Sequence, residues 1–160
     1  MTRTIPLDVS VGRIIEAPAE AVYDLVSDVT TMGEYSPENT GAVWIGDATG
    51  PMVGARFRGT NRIGSMRWST KSTITDADRG RLFAFRVAGR ASSTWIYRFD
   101  PVPGGVRVIE SMRQDRPTPF AIRFLQRRAG VTDRAEHLRA NMAVTLDRLA
   151  TAAEQHVVAR

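Results

Sequence analysis

The spacing of apolar positions changes character twice along the chain, and each stretch predicts a different kind of element. From Leu7 to Glu16 (LDVSVGRIIE) β-branched residues interleave with polar ones until Ala17-Pro18, which predicts a first strand. Pro18 suits the first turn of a helix, where its missing N–H would have had no partner anyway. The segment AEAVYDLVSD then places Val22, Leu25, Val26 and Val29 three or four apart and predicts a helix. A second helical turn is expected from Thr31 to Tyr35, ending at Ser36-Pro37.

From Ala42 to Arg113 the period falls to two. Glycine and proline at Gly50-Pro51, Gly64, Gly80, Gly89 and Pro101 to Gly105 cut this region into short segments. Six further strands are predicted, at Val43 to Asp47, Ala55 to Arg62, Met66 to Asp76, Leu82 to Val87, Thr94 to Asp100 and Val106 to Arg113, in an antiparallel meander. Beyond Pro117 and Pro119 the helical period returns. Asp133 and Glu136 are spaced as an N-terminal capping box, and Ala135, Leu138, Met142, Leu146, Leu149 and Ala153 form one apolar stripe. That stripe needs a cover, and the concave face of a curved sheet is the surface available to it. The expected fold class is α+β, a curved seven-stranded antiparallel sheet around a long C-terminal helix, with two short helices after the first strand.

Composition narrows the class without naming a function. With 42% hydrophobic and 24% charged residues over 160 positions, the chain is expected to form one globular ligand-binding domain over 1–160. No apolar run reaches the length of a spanning helix and the N-terminus MTRTIPLDVSV has no leader-like core, so neither stable membrane insertion nor a signal peptide is expected. The absence of cysteine excludes disulfides and thiolate metal sites, and a cytoplasmic location is the default expectation. The net charge of +5 raises the question of nucleic acid, but the arginines are dispersed, with only Arg127 and Arg128 adjacent, so no nucleic-acid partner is expected. His137 and His156 have no metal or nucleophile partner at recognisable spacing, and phosphate-loop and hydrolase motifs are missing; no metal and no cofactor are expected.

Alternation also assigns faces. If Arg56, Arg58 and Arg62 point to water, then Ala55, Phe57, Gly59 and Asn61 face the helix. By the same phase Trp68, Thr70 and Ser72 face inward, as do Phe83, Phe85 and Val87, and Trp95, Tyr97 and Phe99. Glu110 continues the phase of Val106 and Val108 and aims a carboxyl group inward, where burial would raise its pKa and make it a candidate general acid or base; a register slip would instead leave it solvated. The candidate ligand-binding set is Tyr35, Phe57, Asn61, Trp68, Thr70, Phe85, Trp95, Tyr97 and Met142, with Glu110 as the candidate catalytic residue. Aromatic side chains from at least four strands are expected to converge under the long helix. The segment from Pro119 to Gly130 mixes Phe120, Ile122, Phe124 and Leu125 with arginines, as a lid, a connector or a membrane-touching segment would.

Four segments carry a family likeness: IIEAPAEAVYDLVSDVTTMGEYSPE, VGARFRGTNR, WIYRFDPVPGG and LDRLATAAE. Together they resemble the START and birch-pollen-allergen-like superfamily, in its polyketide cyclase/dehydrase and lipid-transport branch, over about Leu7 to Glu154. The resemblance implies a helix-grip fold and a cavity between helix and sheet for a small, largely apolar partner such as a lipid, sterol or aromatic polyketide. It carries no catalytic residue over, because members include carriers and sensors as well as cyclases and dehydratases. Three functions stay open: a ligand binder for transport, sequestration or sensing; an enzyme in which Glu110 moves protons while Tyr97 and Asn61 hold an enolate or carbonyl oxygen; and an interaction module with a vestigial cavity. A homodimer is compatible with each.

Overall fold

In the computed structural model, residues 5–159 are described. The first four positions of the N-terminal stretch, and the two extremes of the expected 1–160 domain, lie outside the described residues.

Strand β1 (Asp8–Ile15) leads into helix α1 (Ala19–Ser27), a 3₁₀ turn (Val29–Thr31) and the one-turn helix α2 (Met32–Tyr35). Six strands follow: β2 (Asn39–Ile45), β3 (Arg56–Ile63), β4 (Met66–Asp78), β5 (Leu82–Val87), β6 (Ser93–Val102) and β7 (Gly105–Gln114). Helix α3 (Phe120–Arg128) and the 25-residue helix α4 (Arg134–Val158) complete the chain. The seven strands form one sheet in the order β1-β7-β6-β5-β4-β3-β2, every pair antiparallel. The chain after β1 therefore crosses to the far edge and returns strand by strand until β7 pairs with β1.

Two register shifts, between Asn39 and Gly41 on β2 and between Ile74 and Asp76 on β4, insert an extra residue that locally bends and twists the strand. Gly105 allows a tight crossing at the start of β7, since a Cβ there would lie 2.1 Å from the Ile15 carbonyl oxygen. Strand β2 lies earlier than the predicted Val43 to Asp47. Its start at Asn39 and Thr40 carries little β propensity and is held by pairing with β3, while Gly46 turns at φ 66° and ends the strand before Asp47.

Helix α4 is capped as its sequence predicts, with Asp133 Oδ1 accepting from the Glu136 amide at 3.1 Å. Its stripe buries Leu138, Met142, Leu146, Leu149 and Ala153, with Ala135 half-buried at the start. Thr145 and Ala150 are buried too, which widens the contact beyond the predicted stripe. The core falls into two parts. The larger gathers Val22, Val26, Phe57, Phe83, Phe99 and Leu149, with Tyr23 edge-on to Phe83; the smaller gathers Val9, Met112, Leu138 and Met142, with Trp95 packed against it.

Candidate functional site

Strand alternation delivers the side chains of the site. Phe57 on β3, Phe85 on β5, Trp95 and Tyr97 on β6 and Glu110 on β7 all project from the concave face, while Arg56, Arg58, Arg86 and Arg98 on the opposite phase are exposed. Between this face and the helices lies a partly enclosed cavity of about 100 Å³. Phe57, Thr70, Phe85, Trp95, Tyr97 and Glu110 line it, six of the residues singled out from sequence. Its aromatic wall comes from three strands rather than four: Phe57 from β3, Phe83 and Phe85 from β5, and Trp95 and Tyr97 from β6. The rings pack on one another, Phe57 edge-on to Phe85 at 5.2 Å and Phe85 parallel to Trp95 at 6.4 Å between centroids.

Four predicted residues lie elsewhere. Tyr35 is half-buried against the main core. Asn61 accepts a 3.4 Å hydrogen bond from Asn39 Nδ2, and its Cα partner on β4 is Trp68, also off the cavity; both sit on the β3–β4 turn side of Gly59 and Thr70, the last residues of these strands to line it. Met142 belongs to the smaller core behind Trp95. A helical stripe identifies the buried face of α4 but not its rotation against the sheet, and here Thr145 is the α4 residue that reaches the cavity.

Gly59, Ser72, Phe83 and Val87, inward by the same alternation, complete the central sheet side, whereas sequence patterning does not reveal the side opposite. Val26 of α1, Val29 of the 3₁₀ turn, Met32 of α2, and Ser36, Asn39 and Ala42 at and before the start of β2 close one side. Glu38 holds that side in place. Its carboxylate accepts two bonds from Arg134, at 2.6 and 2.8 Å, and one from Asn141 Nδ2 at 3.1 Å, with the ion pair largely buried at 13% and 17% exposure. The Ser-Pro-Glu segment is thereby tied to α4. Ser36 Oγ accepts the amides of Glu38 and Asn39 and shapes the turn between them.

The polar centre is Glu110. It is 3% exposed, and Tyr97, its Cα partner on β6, donates its hydroxyl to Glu110 Oε1 at 2.8 Å. Oε2 is buried with no hydrogen-bond partner. Burial raises the Glu110 pKa to about 8, the Tyr97 bond offsetting part of the rise. Burial, then the neighbouring carboxyl group, pushes the Tyr97 phenol well above its usual value. At neutral pH the pair is therefore an acid bonded to a phenol. Tyr97 donates to Glu110 and Asn61 does not line the cavity, so the structure does not bring the two together around one ligand oxygen as expected from the sequence.

Helix α3 contributes no side chain to the cavity. It turns Phe120, Phe124 and Leu125 outward, with the Arg128 guanidinium 5.9 Å over the Phe124 ring, and buries Gln126. Among the described residues no helix is long and apolar enough to cross a membrane.

Residues 6–154 match the family described as polyketide cyclase / dehydrase and lipid transport. The chain belongs to that family. Among solved structures, a polyketide-cyclase-like protein from Corynebacterium glutamicum, Cgl2372, is 30% identical over 96% of this chain and 92% of its own, with a TM-score of 0.55. The di-domain aromatase/cyclase StfQ of the steffimycin biosynthetic pathway superposes with a TM-score of 0.75 at 16% identity; the match takes in 97% of this chain and 53% of StfQ, so the chain spans about half that protein. Major latex-like protein 151 of Panax ginseng gives 0.70 at 12% identity over 92% of this chain and 97% of its own. At these lower identities the likeness is one of fold, and it places this polyketide cyclase/dehydrase and lipid-transport family member in the helix-grip architecture. No curated protein matches the chain.

Proposed function

We propose that the protein binds a small, largely apolar ligand between sheet and α4, for transport, sequestration or sensing. The observation that carries this reading is an aromatic-walled cavity with one buried carboxyl oxygen, Glu110 Oε2, that no protein group satisfies. A mostly apolar wall with a few placed polar groups is the usual make-up of a small-molecule site. The volume of about 100 Å³ allows at most a single ring. Sterols or long acyl chains would need the wall around Met32 and Ser36 to give way, since drug-sized pockets run to about 300–1,000 Å³. Native mass spectrometry of freshly purified protein, joined to displacement of an environment-sensitive dye by ring compounds, fatty acids and sterols, tests the reading. Saturable displacement supports it; its absence in folded protein favours an interaction module.

A second reading, a cyclase- or dehydratase-type enzyme, is favoured by one feature. Glu110 is a lining residue of the cavity, and its pKa, raised to about 8, is close enough to neutral for the carboxyl group both to give and to take protons. Turnover that falls about 100-fold in Glu110→Gln with binding retained is the result that would select it.

A further inference from the structure

The arrangement at Glu110 restricts the chemistry of the ligand beyond its being apolar. Tyr97 donates into Oε1, so when Glu110 carries a proton that proton resides on Oε2, the oxygen without a partner. Glu110 is one of the cavity's lining residues, so a ligand seated against it can reach that O–H with a small adjustment of the side chain, and a buried donor left without a partner costs free energy that an acceptor on the ligand would recover. Among the described residues Tyr97 is the only other ionisable side chain on the wall; Thr145 from α4 and Val26 from α1 carry no charge, nor does Val11, the β1 neighbour of Glu110. A carboxylate ligand would find no cation there. A neutral amine would have to take the proton from Glu110, and an ammonium would require Glu110 to release its proton to solvent; either way an ion pair is left in an aromatic enclosure, with the desolvation of both charges set against it.

Resting on the binding reading above, we propose that the cavity selects compact, uncharged ring compounds bearing a carbonyl oxygen, and that this oxygen accepts a hydrogen bond from Glu110 Oε2. Phe57, Phe85 and Trp95 would hold the ring, while Tyr97 acts as a positioning residue by fixing which carboxyl oxygen carries the proton. A cavity of about 150 Å³ holds benzene, so the about 100 Å³ here takes no more than one ring, and part of a substituted ring must extend through the cavity's open side or displace the wall.

The test uses the full chain and four single-ring probes of similar size, ethylbenzene, acetophenone, benzylamine and benzoate, with affinities measured by calorimetry or NMR at pH 6.5 and 9.5. Acetophenone is expected to bind about tenfold more tightly than ethylbenzene at pH 6.5, the scale of one buried hydrogen bond. That preference should fall toward unity at pH 9.5, where Glu110 is ionised. Glu110→Gln places an amide N–H where the acid O–H was, with Tyr97 still donating to the oxygen, so it should keep the preference and lose its pH dependence. Glu110→Met should bind ethylbenzene and lose the preference. If ethylbenzene binds as tightly as acetophenone at pH 6.5, or if benzylamine or benzoate binds best, the carbonyl proposal falls and the apolar-cavity reading stands. If none of the four binds to folded protein, the carbonyl proposal falls, and the broader binding reading is decided by the dye-displacement panel with fatty acids and sterols. Should the Met variant not fold, the Gln variant and the pH dependence of the unaltered protein decide the matter.

Discussion

The Tyr97 hydroxyl donates to Glu110 Oε1 at 2.8 Å across two strands whose Cα positions are directly paired, leaving Oε2 buried without a partner. Removing the donor isolates the point. Tyr97→Phe keeps the ring against Phe83 but strips Glu110 of its one bond, which was lowering its pKa. The Glu110 pKa should therefore rise further above about 8, and stability at pH 7 should fall by about 1 kcal/mol or more, the range for a lost buried hydrogen bond. A ¹³C carboxyl titration and urea denaturation measure the two effects; an unchanged or lower pKa would contradict this account of the pair.

The same burial makes stability depend on pH. In the unfolded chain Glu110 titrates near 4.5, in the folded chain near 8. Between these values the folded state holds a proton that the unfolded state has released, so stability decreases as pH rises from about 4.5 to about 8 and levels off above. At about 1.4 kcal/mol per pH unit the full loss is at most about 5 kcal/mol, an upper bound because relaxation and water entry reduce it. Glu110→Gln removes the titration, and its denaturation midpoint should change less between pH 5 and pH 9 than that of the unaltered protein.

Glu38 gives a prediction about the opposite wall. Glu38→Ala leaves the largely buried Arg134 without its counter-charge and loosens Ser36 and Asn39 from α4, with the Arg148 bond to the Tyr35 carbonyl remaining. Breaking such a pair should cost roughly 3 kcal/mol. Hydrogen exchange at residues 36–39 should speed up more than exchange in β6 and β7, and dye should enter the cavity faster. Uniform destabilisation with no local change would separate Glu38 from the cavity wall.

How much of this is legible in the sequence follows from which interactions are local. Period-two alternation fixes the face of each strand, so Phe57, Phe85, Trp95, Tyr97 and Glu110 can be placed inward from the order of residues alone. The hydrogen bond between Tyr97 and Glu110 is not legible, because it depends on the register of β6 on β7, which the tight turn at Pro103 to Gly105 sets. The position of Thr145 depends on the rotation of α4, and the Ser36 to Ala42 wall on an ion pair spanning 96 positions between Glu38 and Arg134. Asn61 and Trp68 share the inward phase but lie along their strands past the end of the cavity, a coordinate that alternation does not carry.

Trp95 sets the capacity of the site. Its indole lies parallel to Phe85, within 7°, and also packs against the core of Val9, Met112, Leu138 and Met142. It therefore separates a cavity of about 100 Å³ from a second apolar region. Trp95→Ala should remove that partition and let the cavity extend toward Met142, a residue that does not line it in the unaltered protein. Because Trp95 is only half-buried, the stability cost should fall below the roughly 3–5 kcal/mol of a fully buried tryptophan truncation. Two-ring compounds such as naphthalene should then displace a dye at concentrations where the unaltered protein ignores them, while single-ring affinity drops as the ring loses a contact face. Should the variant remain folded and keep the size preference of the unaltered protein, the limit on ligand size would have to be assigned to the Met32 and Ser36 side of the cavity and not to Trp95.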